Sequence, residues 1–190
     1  MIQILRPALI LFIFISLITG LVYPLVVTNV AQRIFPKEAA GSIVVRDGKD
    51  VGSALIGQNF SEPKYFWGRP SATGPMPYNA TASGGSNQGP LNPALTDAVA
   101  SRVAALRAAD PGNSAAVPVD LVTASASGLD PHISPAAAIY QAPRVARVRG
   151  VPLQKILTAI TKNTEMPLWG LIGEARVHVL QLNLDLDTLQ

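Results

Sequence analysis

Residues 7–32 read PALILFIFISLITGLVYPLVVTNVAQ, and this stretch decides how the remainder of the chain is to be read. It holds no charged side chain, and from Ala8 to Val30 it is mostly Leu, Ile, Val and Phe. A helix rises about 1.5 Å per residue, so about 20 apolar residues cross a hydrocarbon core about 30 Å thick. The run is long enough, with a residue or two to spare. A core helix of a soluble domain usually keeps its polar residues on one face, whereas Ser16, Thr19 and Asn29 are scattered here. A cleaved signal peptide would have an apolar region of about 7–15 residues ending at a small-x-small site. Here the run continues past Tyr23 and Pro24, and Ala39-Ala40-Gly41 lies beyond the charged pair Lys37-Glu38. The expectation is a retained membrane span at 7–32, preceded by a short segment 1–6 and followed by one soluble domain at 33–190. Pro24 falls late in the span, where neighbouring helices or waters can satisfy a freed carbonyl, and Gly20 allows close approach of another helix. Arg6 on one side and Arg33 with Lys37 on the other leave the positive-inside rule nearly level.

Composition narrows the chemistry. Of the 15 basic residues all but Arg6 follow the span, as do all 12 acidic ones, so the soluble part is near charge balance. The short cluster Arg144, Arg147 and Arg149 lacks interleaved aromatics, and a solvated helix face is the expected reading rather than a nucleic-acid surface. The chain has no cysteine, which excludes disulfides, thiolate nucleophiles and Cys-ligated zinc. Its two histidines, His132 and His178, stand far apart in sequence, and no metal site is expected.

Along the soluble part, the runs Ile43–Val45 and Ala54–Ile56 flank Asp47-Gly48, a signal for a hairpin with a type I′ turn. Residues 58–93 are dense in Gly, Pro, Ser and Asn, yet they carry Phe60, Tyr65, Phe66, Trp67 and Tyr78. Flexible linkers usually lack large aromatics, so this is expected to be a long ordered loop with a function. Asn92 and Pro93 open a helix whose stripe is Leu95, Val99, Val103 and Leu106. Val117 to Ala124 suits a strand. Ser134-Pro135 starts a second helix, strained at Pro143 and ending near Gly150, and Pro152 opens a third with Leu153, Ile156, Leu157 and Ile160 on one face. Ala175 to Leu186 alternates with a change of phase near Leu180, which suggests a strand with a bulge or a strand that breaks. The sum is one transmembrane helix followed by a small α/β (α+β) domain.

Three motifs bear on chemistry. Ser61-Glu62-Pro63-Lys64 matches S-x-x-K, but the S-D-N and K-T-G partners are absent and Pro63 interrupts the helix that chemistry requires. The glycine-rich run Ser83 to Gly89 has backbone N–H groups suited to an anion, but no Lys for a P-loop, which favours a structural turn. Ser125 to His132 joins an expected strand to a helix N-terminus, where Ser127, Asp130, His132 and Ser134 could line a site or serve as caps and turns. The sequons at Asn59 and Asn79 carry little weight.

Several of these stretches, in order, resemble the C subunit of the Kdp-type potassium-transporting P-type ATPase along the whole chain. They are Leu5-Arg6-Pro7-Ala8, Gly52 to Phe60, Gly68-Arg69-Pro70-Ser71-Ala72, Tyr78-Asn79, Ala82 to Asn87, Val122 to Asp130 and Gln141 to Ala146. The resemblance implies an accessory, non-catalytic subunit of a bacterial inner-membrane pump, with its N-terminus cytoplasmic and its soluble domain periplasmic. Its partners would be a channel-like potassium-selecting subunit, a P-type ATPase subunit and a very small membrane subunit. The phosphorylation motif D-K-T-G is absent from this chain.

The resemblance further implies a catalytic chaperone that raises the ATP affinity of the ATPase subunit. It would do so by nucleotide contact at Gln141, likened to the glutamine of a transporter signature motif, with Ser127 and Gly128 beside it. An external domain cannot touch cytoplasmic ATP. The alternative is an external cap over the potassium entrance, docking through Phe60, Trp67, Arg69, Tyr78, Asn87 and Asp130, with any effect on ATP affinity transmitted allosterically. A membrane-anchored hydrolase using Ser127 and His132 is a third reading.

Overall fold

The computed structural model describes residues 2–188 and divides at Val51/Gly52 into two compact units, each with its own internal packing. In the first, α1 (Ile2–Leu17) and α2 (Tyr23–Ile34) form one continuous helix through a π-helical turn at Ile18–Val22. Gln3–Ile34 is long and apolar enough to cross a membrane, and none of it is buried by protein. The π turn has a local cause. Pro24 has no N–H and its ring crowds the carbonyl of Gly20 one turn back. The helix widens just before it, and Tyr23 N–H bonds to Ile18 O, five residues back. Thr19 Oγ1 and Asn29 Nδ2 return hydrogen bonds to Ile15 O and Leu25 O, so two polar side chains of this helix are satisfied within it.

A short helix α3 (Pro36–Ala39) precedes the hairpin of β1 (Ile43–Arg46) and β2 (Lys49–Ser53). Asp47 and Gly48 have φ of 51° and 74°, the two positive values that a type I′ turn needs. The second strand differs from the expectation. A two-residue turn places the partner strand immediately after Gly48, so Lys49–Ser53 pairs with β1 and Ala54–Ile56 turns away.

The second unit contains α4 (Pro93–Ala109), β3 (His132–Ile133), α5 (Pro135–Arg149), α6 (Leu153–Lys162), β4 (Thr164–Glu165), β5 (Arg176–His178) and α7 (Val179–Leu186). The helix starts follow the caps. Asn92 accepts from Ala94 N–H, Ser134 accepts from Ala137 N–H, and Pro stands first in α4 and α5. Gly150 ends α5 at φ 66°. Helix α5 runs through Pro143, which withholds a hydrogen bond from the carbonyl of Ile139, a residue on the solvent side. The sheet is antiparallel in the order β3-β5-β4, with Val177 opposite both Ile133 and Thr164. Phe66, Ala142, Val145, Ile156, Val177, Leu182 and Leu186 meet in one core between the helices and the sheet.

One expected strand is absent and another breaks off early. Val117 to Ala124 instead holds a 3-10 turn at Val119–Leu121, because Asp120 turns back to accept from Ser134 N–H (2.7 Å) and Ser134 Oγ (3.1 Å). The final segment is a three-residue strand followed by a helix. Its phase change marks that switch: Val179, Leu182, Asn183 and Leu186 recur at helical spacing and are all buried.

Candidate functional site

Residues 58–92 have no regular structure except a 3-10 turn at Ala80–Ala82, so their backbone polar groups must find partners elsewhere. Side chains of α5 and α7 supply them. Asn183 Oδ1 accepts from Phe66 N–H (2.8 Å) while its Nδ2 donates to Phe66 O (3.0 Å). Gln141 does the same one residue on: Trp67 N–H donates to Oε1 (2.9 Å), and Nε2 donates to Trp67 O (3.1 Å). Two side-chain amides from two helices thus stand in for the neighbouring strands of a sheet.

Gln141 is 1% exposed, and its remaining sites are also taken. Nε2 donates to Ala137 O (3.3 Å), and Oε1 accepts from Arg144 Nη2 (2.7 Å). Two donors and two lone pairs are the full capacity of an amide. In this geometry the residue offers nothing further to a nucleotide.

The arginines of α5 complete the clasp. Arg144 is 2% exposed; it donates to Pro63 O and Tyr65 O and lies 4.5 Å from the centre of the Trp67 ring. Arg149 donates to Lys64 O, Leu186 O and Asp187 Oδ1. The expectation of a solvated basic face is therefore corrected. Only Arg147, half exposed and paired with buried Asp110 at 2.8 Å, resembles it. The other two face a loop rich in outward-turned carbonyls, which a guanidinium fork can gather in pairs. Burial pushes Arg144 down to about 10, Arg147 adds to this and Asp110 opposes it, so the group stays charged at neutral pH.

The second half of the loop is pinned around Arg69 and Asp130, whose Nη1 and Oδ2 lie 3.3 Å apart. Arg69 Nη2 also donates to Ala124 O, and Tyr78 Oη donates to Arg69 O at 2.6 Å. Gly57 is required here: a Cβ would fall on the Tyr78 ring and within 2.6 Å of Asp130 O. Burial, then the charge of Asp130, raises the Tyr78 phenol to about 12, with Arg69 opposing. Burial pushes the Asp130 carboxyl upward, but hydrogen bonds from His132 together with the Arg69 charge outweigh it and leave the carboxyl below its usual value.

Phe60, Trp67, Arg69 and Tyr78 line one groove of about 350 Å³, together with Arg102 and Leu121. Arg69 and Asp130 also border a second recess with Leu55, Ser127, Leu129 and Pro131. Five of the six residues expected to meet a partner are thus neighbours. The sixth, Asn87, is exposed, in the left-handed region at φ 51°, and belongs to neither recess.

Ser127 and Gly128 are occupied in local pairing. Ser127 Oγ accepts from Leu129 N–H, its carbonyl accepts from Gly84 N–H and Ser83 Oγ, and Gly128 O accepts from Ser71 Oγ. Gly128 N–H donates to Ser125 Oγ. The glycine-rich run therefore serves as a strap over the 125–130 turn.

The S-x-x-K residues lie in a turn, with Lys64 bound to Glu62 at 2.9 Å. His132 lies 3.5 Å from Asp130 and edge-on to His178, whose Nε2 is 2.8 Å from Ala54 O. Among the described residues no group of three or more His, Asp or Glu is placed to hold a metal.

The residues missed in the sequence were Asn183, buried Arg144 and partly buried Arg149. A polar residue within an apolar helical stripe was the available signal for Asn183, hidden by reading that segment as a strand.

Comparison with known proteins covers nearly the whole length of the chain. A family model described as KdpC, K+-transporting ATPase, c chain, matches residues 5–188. The Potassium-transporting ATPase KdpC subunit of Polaromonas naphthalenivorans (strain CJ2) is 72% identical over 188 residues, covering 99% of this chain and 96% of that protein. The subunit of the same name from Variovorax paradoxus (strain S110) is 67% identical, over 97% of this chain and 96% of that one. That of Ralstonia nicotianae is 61% identical over 98% and 91%. The apolar N-terminal helix, the clasped loop and the small helix-and-strand unit are those of a chain that belongs to the KdpC family, the c chains of K+-transporting ATPases.

Proposed function

We propose that this chain is a single-span, non-catalytic subunit of a K+-transporting ATPase, and that it acts by docking its folded unit on partner subunits. The observation that carries this reading is the division of labour among the site residues. Of the residues expected at a nucleotide, Gln141 is buried with every side-chain donor and acceptor engaged, and Ser127 and Gly128 are tied into local turn bonds. Phe60, Trp67, Arg69 and Tyr78 instead line an open groove on a loop held rigid from behind. A preorganised surface with aromatic and Arg anchors is what a stable protein contact needs.

In this reading the N-terminus is cytoplasmic, the folded unit is external, and it caps the potassium entrance of the channel-like subunit. A rise in the ATP affinity of the ATPase subunit then comes from coupling between distant sites, not from a shared nucleotide.

Thiol labelling in intact cells tests the arrangement. The chain has no cysteine, and Asp50 and Ser86 are both exposed, so Asp50→Cys and Ser86→Cys give a clean signal. Both should react with an impermeant maleimide before lysis. Reaction only after lysis would place the unit inside and restore direct nucleotide contact as the leading mechanism.

A further inference from the structure

Strands β4 and β5 pair at Thr164↔Val177 and Glu165↔Arg176, so residues 166–175 form the tip of a hairpin. From Met166 to Gly173 the tip reads MPLWGLIG, with no charge. Its side chains are turned outward. Met166 is 75% exposed, Trp169 81% and Leu171 86%, and Leu168 and Ile172 are also exposed. A soluble protein scatters exposed apolar residues singly. Here five large ones share one turn.

Four N–H groups of the tip are bonded within it, which gives the turn a defined shape. Leu168 N–H donates to Ile172 O (2.9 Å), Gly170 N–H to Pro167 O (2.9 Å), and Leu171 and Ile172 N–H both to Leu168 O (3.1 Å). Charge stands at the base of the loop, where Arg176 pairs with Glu165 at 2.8 Å and Glu174 directly follows the apolar run 166–173. An uncharged apolar end below a charged collar matches the polarity profile of a bilayer surface, and Trp prefers the interfacial level.

The candidate span supplies that surface. The covalent link of residues 35–51 cannot carry the folded unit further than about 60 Å from the end of the helix. We propose that the 166–173 tip inserts into the headgroup and upper acyl region of the bilayer, as a second membrane contact that limits tumbling of the folded unit on its tether. The proposal rests on the anchor crossing the same bilayer.

The full chain and the assembled ATPase are reconstituted in vesicles of phosphatidylethanolamine and phosphatidylglycerol containing brominated phosphatidylcholine. An NBD fluorophore is placed on Leu171→Cys or, as a control, on Ser86→Cys. Both positions are exposed, so neither change touches the core. In the chain and in the assembly alike, the Leu171 label should be blue-shifted and quenched by bromolipid several-fold more than the Ser86 label, and iodide should show the reverse order. Equal access of iodide to both labels overturns the proposal. Shielding of the Leu171 label from both quenchers in the assembly also overturns it, in favour of a partner subunit. Flotation after an alkaline wash reads the anchor separately: a chain lost from the vesicles refutes the span, whereas a chain retained with a water-exposed Leu171 label refutes the tip alone.

Discussion

Replacing Gln141 by Met keeps the length and approximate volume of the side chain and removes all four of its hydrogen bonds. Trp67 N–H and C=O lose their partners, and Arg144 Nη2 loses its acceptor. Ala137 O keeps its place in the helix. An unsatisfied buried polar group costs about 1–3 kcal/mol. Trp67 is only half-buried, so the low end applies and its two groups contribute about 2 kcal/mol. The bond from the charged Arg144 adds about 1.5–3 kcal/mol. The expected loss is therefore about 3–5 kcal/mol, against a total that for a domain is about 5–15 kcal/mol.

Urea unfolding of the full chain in detergent, followed by Trp fluorescence and extrapolated linearly, measures this loss. Hydrogen exchange at the Phe66 and Trp67 amides locates it. Gln154→Met, at an exposed position of α6, should change stability by no more than about 0.5 kcal/mol. If Gln141→Met costs less than 1 kcal/mol and the Trp67 amide stays protected, the clasp does not hold the loop and the assignment of Gln141 as a structural residue fails.

Other changes have equally defined outcomes. Gly128→Ala forces a side chain into φ 69° with its Cβ 2.5 Å from Thr73 Cγ2 and 2.9 Å from Gly84 O, and should cost about 2 kcal/mol in the same unfolding assay. Ser134→Ala removes the cap of α5 and the weaker of the two bonds to Asp120, while the bond from the backbone N–H stays, and should cost about 1–2 kcal/mol, with loss of exchange protection at Ala137. Tyr78 should ionise late in an absorbance titration at high pH, near 12 against an ordinary value of about 10. Its neutral form is favoured by folding, so the stability it contributes is complete below about pH 10 and is lost as pH rises through about 12; Tyr78→Phe should flatten that part of the pH profile.

Sequence alone determined the features governed by local chemistry. Twenty-six consecutive uncharged residues marked the span because a bilayer is read by length and polarity. Asp47-Gly48 marked a turn because only certain residues take positive φ without strain, and Asn92-Pro93 and Ser134-Pro135 marked helix starts because orphan N–H groups need acceptors close by. Where alternation and helical spacing ran together, at residues 175–186, local pattern was ambiguous: the alternation of a three-residue strand was carried past His178 into a helix.

Only the tertiary structure decided what the polar residues of α5 and α7 do. Gln141 meets Trp67 across 74 residues and Asn183 meets Phe66 across 117. A buried amide and an exposed one look alike in a sequence, and the same holds for Arg144 beside Arg147. Their roles depend on which backbone groups the fold leaves without a partner, and a loop with no ladder of its own creates that need at a distance.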